Sequence, residues 1–393
     1  MDISQAKVAW LVPSAIAGGY FGPLLSQTSS LFGKSVFFTG RIWPGAEEAA
    51  LGKTELKVVG KTEFVKFQHN DGYGRNLIIA SPAIILEIVK YRPHIIIANG
   101  FSVWTLFALL LKIFFQWKII VILDGISAST RFEDAKLRLL IRQLMSKGID
   151  ALVTNSKAAK QYLLEVLHIP EAKVFHKTYI VPDSTALDDD KARLENDLKL
   201  RYPGLKILYI GRLVTRKGIK KLLEACFILS QKGFTDYTLM LVGDGEERAD
   251  LEAYVSETNI SDRVAFIGWL NYGQIGNYLR AADIFILPSF EDTWGAVLLE
   301  AMAFGKPVVC SKLAGSSEIV IEGSNGFTYD PYNSKELAEK ISAFLESPEL
   351  LKKMSRESEA SVANYSVEDA AAFFSDLSQQ LLASSALQMG SRS

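Results

Sequence analysis

The chain has 393 residues, of which 49% are hydrophobic, and its formal net charge at pH 7 is −1. This length allows two domains of ordinary size, each with a substantial core. Its two cysteines, Cys226 and Cys310, argue against a disulfide framework and fit a reducing cytoplasm. The first residues also lack the charged, apolar and small-residue order of a signal peptide.

The charge is divided unevenly along the chain. Residues 1–184 carry 21 Lys and Arg against 14 Asp and Glu, a net of +7, so the remaining residues carry 22 against 30, a net of −8. A basic first half suits an acidic partner or an anionic membrane surface. Ordinary solvated charge explains the asymmetry equally well.

The first half alternates short apolar runs with helical patterns. The runs at 8–12, 35–39, 95–98, 119–123 and 151–154 are typical of strands buried on both faces, and helices are predicted at 81–91, 104–115 and 135–147. Because Lys112 and Lys118 interrupt the apolar stretch 101–123, we expect no membrane span there. Core packing explains the very apolar helix at 104–115, and shallow insertion into a bilayer surface is the alternative.

An acidic stretch from 183 to 196 breaks this pattern and suits a connection between domains. Its three aspartates at 188–190 are interpreted as a solvated charge run rather than a metal site. A second series follows, with strands predicted at 207–211, 238–242, 264–267, 284–287 and 308–310, and with helices at 217–231, 247–258, 275–281 and 334–345 and around Glu300. Two such series predict two α/β domains with doubly wound parallel sheets, at 1–184 and 204–366, joined by a linker at 185–203 and followed by a helical segment at 367–393.

The segment after the predicted strand at 207–211 carries the first motif. Gly211 allows a close approach of the backbone. Arg212 and Lys217 stand near the start of the next helix, where free N–H groups already favour anions. Together they would neutralise a diphosphate, while the alternative interpretation is a basic surface turn.

The second motif is a pair of acidic residues around an apolar helix. Glu300 is costly inside this helix unless something hydrogen-bonds its carboxylate, and a ligand rich in hydroxyls would do so. Eight helical residues between Asp292 and Glu300 would span about 12 Å, which suits the distance from the ribose to the hexose of a nucleotide sugar. The alternatives are a helix cap for Asp292 and a buried salt bridge for Glu300.

Backbone groups complete the predicted site. The N–H groups of Gly295, Ala296 and Val297, at the start of the Glu300 helix, would meet the phosphates. Gly243 follows a strand in a turn, and the residues around Trp269 end another strand and could offer backbone groups to a nucleobase. A further Gly-Gly pair, Gly18-Gly19, follows the first strand and would let the backbone approach a phosphate or an acceptor.

The second half resembles the donor domain of the family 4 (group 1) glycosyltransferases, which have the two-domain GT-B fold. The resemblance is firm over about 205–345 and rests on Gly211, Arg212, Lys217, Gly218, the Gly-Asp-Gly at 243–245, the Phe-Ile-Gly at 266–268, the Pro-Ser at 288–289 and the segment 292–305. It implies two Rossmann-like domains facing across a cleft, with the acceptor bound by the first. It also implies that the last helix, after Tyr365 and Ser366, crosses back to the first domain.

Two departures from the family pattern stand out. The family commonly carries two glutamates in the position of the acidic pair, whereas here the first is Asp292, whose shorter arm could alter sugar preference. Many members also carry a histidine after the fourth strand of the first domain, where this chain has Asp124. Asp124 could position the acceptor, act as a base or cap a turn.

The resemblance implies a retaining transferase that moves a sugar from a UDP- or GDP-linked donor to a glycan or lipid-linked acceptor in cell-surface polysaccharide synthesis. Arg212 and Lys217 would stabilise the departing diphosphate, and no metal or other cofactor would be obligatory. We expect no nucleic-acid partner and a cytoplasmic location, with peripheral contact to the inner face of an anionic membrane. The competing hypotheses are a nucleotide-binding protein of the same fold without transferase activity and a sugar-nucleotide epimerase.

Overall fold

The computed structural model of the chain describes residues 2–14, 21–42, 51–65, 77–131, 135–181, 197–198 and 200–390. They fall into two compact units: Met1–Val181 with Tyr365–Ser393 form unit 1, and Pro182–Asn364 form unit 2. The predicted linker, 185–203, lies largely outside the described residues, as do Gly18 and Gly19. No helix in these ranges is long and apolar enough to span a bilayer.

Unit 1 is built on a parallel sheet. Its described strands are β1 (Lys7–Val12), β2 (Lys34–Thr39), β3 (Thr54–Val58), β4 (Thr62–Val65), β5 (Leu77–Ala80), β6 (Ile95–Asn99), β7 (Lys118–Leu123), β8 (Ala151–Thr154) and β9 (Val174–His176). Seven of these form one sheet in the order β3-β2-β1-β6-β7-β8-β9, in which every pairing is parallel, while β4 and β5 form a separate antiparallel pair.

Helices lie between these strands in the chain. They are α1 (Gly22–Leu31), α2 (Ile84–Tyr91), α3 (Val103–Leu111), α4 (Ala128–Arg131), α5 (Lys136–Gly148) and α6 (Lys157–Glu165). Ser102 caps the start of helix α3, because its side chain accepts from the N–H of Thr105, and the helix ends earlier than predicted, at Leu111. Trp104 and Ala108 on α3 are buried in the core, but Leu110 is exposed, so core packing explains only one side of this helix.

Unit 2 has the same architecture. Its strands are β10 (Leu205–Ile210), β11 (Tyr237–Val242), β12 (Val264–Gly268), β13 (Ile284–Leu287), β14 (Val308–Ser311) and β15 (Gly326–Tyr329). Its helices are α7 (Ile219–Gln231), α8 (Arg248–Glu257), α9 (Tyr272–Ala281), α10 (Ala296–Ala303), α11 (Ser334–Glu346) and α12 (Pro348–Val362). The strands form a parallel sheet in the order β12-β11-β10-β13-β14-β15.

The last helix, α13 (Val367–Gly390), belongs to unit 1 although it follows unit 2 in the chain. Phe374 of α13 is buried against Trp10 of β1 and against Tyr179, with 5.8 Å between ring centroids in each pair. Lys177 forms an ion pair with Asp369 at the start of the helix. Aromatic burial of this kind contributes strongly to stability, so α13 is part of the core of unit 1.

The strand order locates the place where a ligand is expected in unit 2. Strand β10 pairs with β11 on one side and with β13 on the other, so successive connections run in opposite directions from β10. In open parallel sheets, ligands bind beyond the carboxyl ends of the strands where the strand order reverses. In unit 2 that place lies between the segments that follow β10 and β13.

Candidate functional site

Glycines lie at the carboxyl ends of β10, β11 and β12. Because glycine has no side chain, the backbones of these strand ends can approach closely. The N–H of Gly211 donates to Val242 O at 2.9 Å, and the N–H of Gly243 donates to Gly268 O at 2.8 Å. A Cβ on Gly243 would lie 1.9 Å from Gly211 O, and the φ of Gly243 is +132°, so this position requires glycine. The result is a partly exposed edge of backbone without side chains, which a flat or anionic ligand could approach closely.

The loop after β10 is tied to the loop after β13. Residues Thr215–Lys217 form a single turn of 3₁₀ helix, which ends at Gly218 in the left-handed conformation, with φ +68°. A Cβ on Gly218 would lie 2.1 Å from Pro288 O, and the N–H of Phe290 donates to Arg216 O at 2.9 Å. These contacts fix the start of helix α7 against the segment that carries the acidic pair.

Lys217 and Asp292 meet at this junction. The Nζ of Lys217 is hydrogen-bonded and ion-paired to Oδ2 of Asp292, and their side chains are 14% and 5% exposed. Ser289 Oγ lies 3.5 Å from the same carboxylate oxygen. The structure therefore brings together two residues that the sequence assigned to separate motifs.

Asp292 does not cap the following helix. The N-cap of α10 is Gly295, with φ +85°, and no side chain accepts from the first turn. The backbone of Asp292 instead forms an isolated parallel β-bridge with that of Ala314, and the backbone carbonyl of Asp292 accepts from the N–H of Gly315 at 3.1 Å. Both the helix-cap alternative and the estimate of eight helical residues between Asp292 and Glu300 are therefore wrong, because only the residues from Ala296 onward are helical.

The start of α10 is a candidate anion site. The first N–H groups of a helix have no acceptor within it, and here the first turn contains Ala296 and Val297. The guanidinium of Arg212, after β10, is exposed and makes no hydrogen bond or ion pair with the part of the chain that the structure describes. Within the same ranges, no group of three or more His, Cys, Asp or Glu is arranged to hold a metal ion.

Glu300 is buried on α10, with 2% exposure, and accepts from the hydroxyl of Tyr272 at 2.9 Å. Burial raises the pKa of Glu300 to about 7, and the hydrogen bond from Tyr272 opposes that rise. Glu300 has no ion pair with any described residue, so the salt-bridge alternative is wrong for this part of the chain. A buried carboxyl with one hydrogen bond and no cation retains capacity to accept from a ligand.

Two tryptophans flank these groups in different ways. Trp269 directly follows the end of β12 and is 62% exposed. Trp294 immediately precedes Gly295 and is buried, and its indole N–H has no hydrogen-bond partner among the described residues. An exposed aromatic beside a backbone edge suits stacking of a ligand, whereas a buried donor without an acceptor is uncommon in native proteins.

Asp124 lies in unit 1, immediately after β7. Its Oδ1 accepts from the hydroxyl of Tyr179 at 2.7 Å, and its carbonyl accepts from the side-chain amide of Asn155 at 3.1 Å. Burial raises the pKa of Asp124, and the Tyr179 hydrogen bond partly opposes this. Asp124 is thus held in place by two neighbours, of which Tyr179 is itself packed against helix α13.

Sequence reasoning missed Tyr272, Ser289 and Tyr179 as partners of the acidic residues. Tyr272 begins α9, where Asn271 and Gln274 form a capping box, but that signal marks a helix start and says nothing about Glu300. Tyr179 lies 55 residues after Asp124 in the chain. Contacts of this kind arise from sheet topology and leave no local pattern in the sequence.

Comparison with known proteins agrees with this geometry. Residues 190–361 match the family described as glycosyl transferases group 1. The alpha-D-kanosaminyltransferase of Streptomyces kanamyceticus is 28% identical over 217 residues, which are 54% of this chain and 55% of that protein. The amylovoran biosynthesis glycosyltransferase AmsK of Erwinia amylovora is 35% identical over 152 residues, covering 36% and 37% of the two chains.

The structural comparison extends over nearly the whole chain. The crystal structure of Anabaena Alr3699/HepE in complex with UDP and glucose aligns with a TM-score of 0.76 at 19% identity, covering 95% of this chain and 99% of that one. At this identity the likeness concerns the fold alone, and it confirms two parallel-sheet α/β domains of the GT-B type. In sequence, the chain spans about half the length of the curated relatives it matches.

The resemblance expected from Gly211, Lys217 and the acidic pair is thereby confirmed. The strands and loops that hold these residues all lie within 190–361. Residues 190–361 of this chain, which lie in unit 2, match the glycosyl transferases group 1 family, and the chain has the GT-B fold.

Proposed function

We propose that the chain is a retaining glycosyltransferase that moves a sugar from a nucleoside-diphosphate sugar to a hydroxyl of an acceptor. The observation that carries this proposal is the Lys217–Asp292 pair at the strand-order reversal between β10 and β13. It supports the proposal because it holds a cation where a ligand of this sheet class is expected, on an acidic residue that precedes the start of α10.

Lys217 and Arg212 are assigned to the diphosphate. An ammonium has three hydrogen-bond donors, so Lys217 can keep its bond to Asp292 and still donate twice to phosphate oxygens. Arg212 offers a planar fork that makes no hydrogen bond or ion pair with the described residues, and the N–H groups of Gly295, Ala296 and Val297 would complete the anion site. Donors arranged in advance stabilise the charge that develops on a leaving diphosphate.

Glu300 is assigned to the ribose hydroxyls and Asp292 to the neighbourhood of the sugar ring. The single hydrogen bond of Glu300 leaves its second carboxylate oxygen for a ligand hydroxyl. The nucleobase would lie beside Trp269 and beside the paired backbone groups of Gly243 and Gly268, which carry no side chains. Asp124 and the Gly18–Gly19 loop of unit 1 are assigned to the acceptor.

The proposed reaction needs no oxidant and no covalent enzyme intermediate. The acceptor oxygen forms its bond to the anomeric carbon on the face from which the diphosphate departs, while the bond from that carbon to the β-phosphate oxygen breaks. The hydroxyl proton passes to the departing phosphate oxygen. With Lys217 and Arg212 holding the leaving group, little dedicated base is required.

The donor is proposed to be UDP- or GDP-linked, and the acceptor to be a glycan or a lipid-linked saccharide. The presence of UDP in the HepE complex favours a uridine nucleotide, and the name of AmsK supports a role in polysaccharide synthesis. A lipid-linked acceptor would require peripheral contact with a membrane.

The first experiment is a thermal-shift screen of the full chain against UDP, GDP, ADP and CMP and their sugars, with a chelator present. A ligand that binds the native state raises the melting temperature. One nucleotide family should give a clear shift that is lost in Lys217→Ala and retained in Lys220→Ala, a matched exposed lysine on α7. No shift with any nucleotide, from folded protein, would contradict the site.

Product analysis separates the competing functions. NMR of the product with a suitable acceptor should show the anomeric configuration of the donor, and an inverted product would contradict the retaining mechanism. Binding without any product would support a nucleotide-binding protein, and conversion of the donor sugar without an acceptor would support an epimerase.

A further inference from the structure

Helix α5 carries an apolar stripe on its exposed side. Leu137, Leu140, Ile141 and Leu144 follow the i, i+3, i+4, i+7 spacing of one helix face, and each is between 43% and 72% exposed. In a surface helix of a globular domain, a stripe at this spacing ordinarily faces the core. Here it faces away from the core.

The opposite side of α5 packs on unit 1 through the apolar residues Leu139 and Met145 and through hydrogen-bonded polar residues. Arg142 donates to Thr130 O at 3.1 Å and to the hydroxyl of Tyr162 at 3.0 Å. Gln143 donates to Val166 O at 3.1 Å, and Ser146 is buried. These contacts set the rotation of the helix, so the exposure of the leucine stripe is fixed by the packing of unit 1.

The end of α3 continues the apolar surface. Leu110 is exposed, and Ile113 and Phe114, in the turn that follows, are 80% and 79% exposed. The Nζ of Lys112 in this turn donates to the carbonyl of Gly148 at the end of α5, at 2.8 Å. The exposed apolar residues of both elements therefore lie on adjoining surfaces, together called the α3–α5 face (Leu110, Ile113, Phe114, Leu137, Leu140, Ile141 and Leu144).

The charges in and beside the α3–α5 face are mostly basic, although Glu133 and Asp134, which lie outside the described residues, precede α5 in the sequence. Lys136 and Lys147, at the two ends of α5, are exposed and form no ion pair with the described residues. Neither 103–118 nor 136–148 contains an aspartate or glutamate. The nearby Asp150 is already paired, with Nζ of Lys118 at 3.6 Å and with Lys112.

We propose that the α3–α5 face docks on the surface of an anionic bilayer, with the leucine stripe in the interfacial region and Lys136 and Lys147 on the lipid phosphates. An apolar centre with a basic rim is complementary to such a surface. A second copy of this chain fits less well, because a symmetric contact would bring two basic rims together. The inference rests on the proposed function only for the purpose of the docking, which would bring the enzyme to a lipid-linked acceptor.

The test is co-sedimentation of the full chain with vesicles of phosphatidylcholine, or of phosphatidylcholine and phosphatidylglycerol in equal amounts, without donor or acceptor. We expect binding to the anionic vesicles that weakens with salt. Leu137→Ser/Leu144→Ser should weaken it roughly tenfold or more, and Lys136→Gln/Lys147→Gln by about fivefold per lysine.

Matched controls lie in unit 2. Leu313 and Ile321 are 47% and 57% exposed, so Leu313→Ser/Ile321→Ser removes similar apolar surface elsewhere, and Lys352→Gln/Lys353→Gln does the same for charge. Both should bind like the parent, and circular dichroism should show all variants folded.

The proposal is overturned by equal binding to neutral vesicles, by no binding, or by equal losses in the controls. It is also overturned if the parent is a dimer that the leucine variant dissociates. Because vesicle binding is read without catalysis, failure of the proposed transferase activity would leave these results unchanged.

Discussion

The ammonium of Lys217 and the carboxylate of Asp292 form an ion pair between segments 75 residues apart in the chain. Both side chains are largely buried, so each neutralises a charge that would be costly alone. The pair holds the cation in place without a ligand. In the proposed reaction, such preorganised charge would stabilise the leaving diphosphate, because the protein would not need to reorganise.

Replacement of Lys217 tests both roles of the pair. Lys217→Ala should lower kcat by about 100- to 1000-fold, and the unpaired Asp292 should lower the free energy of unfolding by roughly 3 kcal/mol. Adding Asp292→Asn should restore much of the stability and none of the activity. Kinetics and denaturant unfolding of the two variants measure this, and recovery of both properties together would show that Lys217 acts only structurally.

The pKa of Glu300 predicts a pH-dependent cost of folding. The folded pKa, about 7, lies above the ordinary value of 4.5, so the folded state loses stability as pH rises through this window and bears the full cost above it. Glu300→Gln cannot ionise and keeps an acceptor for Tyr272. The stability advantage of the variant should grow by about 2 kcal/mol between pH about 5.5 and about 8. Melting temperatures of both proteins across this range measure it, and parallel curves would contradict the burial of an ionisable Glu300.

Tyr272 should act as a positioning residue for donor binding. Its hydrogen bond opposes the rise in the pKa of Glu300, so Tyr272→Phe should raise that pKa further. Ligand hydroxyls bind best to the ionised carboxylate, so the Kd of the donor nucleotide should rise as the pH falls below the pKa of Glu300. In the variant, this rise should begin at a higher pH. Titration calorimetry across pH measures the midpoint. Tyr254→Phe, on α8, is the matched control, and a uniform weakening without a midpoint shift would indicate a structural role only.

The close approach of β10 and β11 makes Gly243 intolerant of any side chain. Gly243→Ala would place a Cβ 1.9 Å from Gly211 O at a φ of +132°. We expect a loss of roughly 2–4 kcal/mol in the free energy of unfolding, with impaired nucleotide binding. Gly22→Ala meets nothing within 4 Å and should change stability by less than about 0.5 kcal/mol. Equal effects of the two substitutions would contradict the described backbone geometry.

The sequence predicted the strands better than the contacts between the segments that follow them. Apolar runs located β10 and β13, and the residue types singled out Lys217 and Asp292 as candidate site residues. Their pairing depends on β13 lying beside β10 rather than beside β12, and no local pattern records that neighbour. The edge strand β15 was missed because two of its four residues are only partly buried, whereas β13 and β14, equally short, are buried throughout.

Helix rotation was equally inaccessible from the sequence. The helix predicted at 135–147 is present as α5, but its spacing alone would have buried Leu137, Leu140 and Leu144. The structure turns them outward because Arg142 and Gln143 find acceptors on the inner side. The spacing of apolar residues shows that a helix has an apolar face. The neighbouring elements determine whether that face points to the core or to solvent.

The return of α13 to unit 1 reverses the order in which the two units can be completed on the ribosome. Phe374, which covers Trp10 and Tyr179, is translated after all of unit 2. At about 10 residues per second, making unit 2 takes about 20 s, and during that time the nascent first unit lacks its last core element. Unit 2 can reach its native state first, and the N-terminal portion must remain unaggregated until the end of the chain emerges.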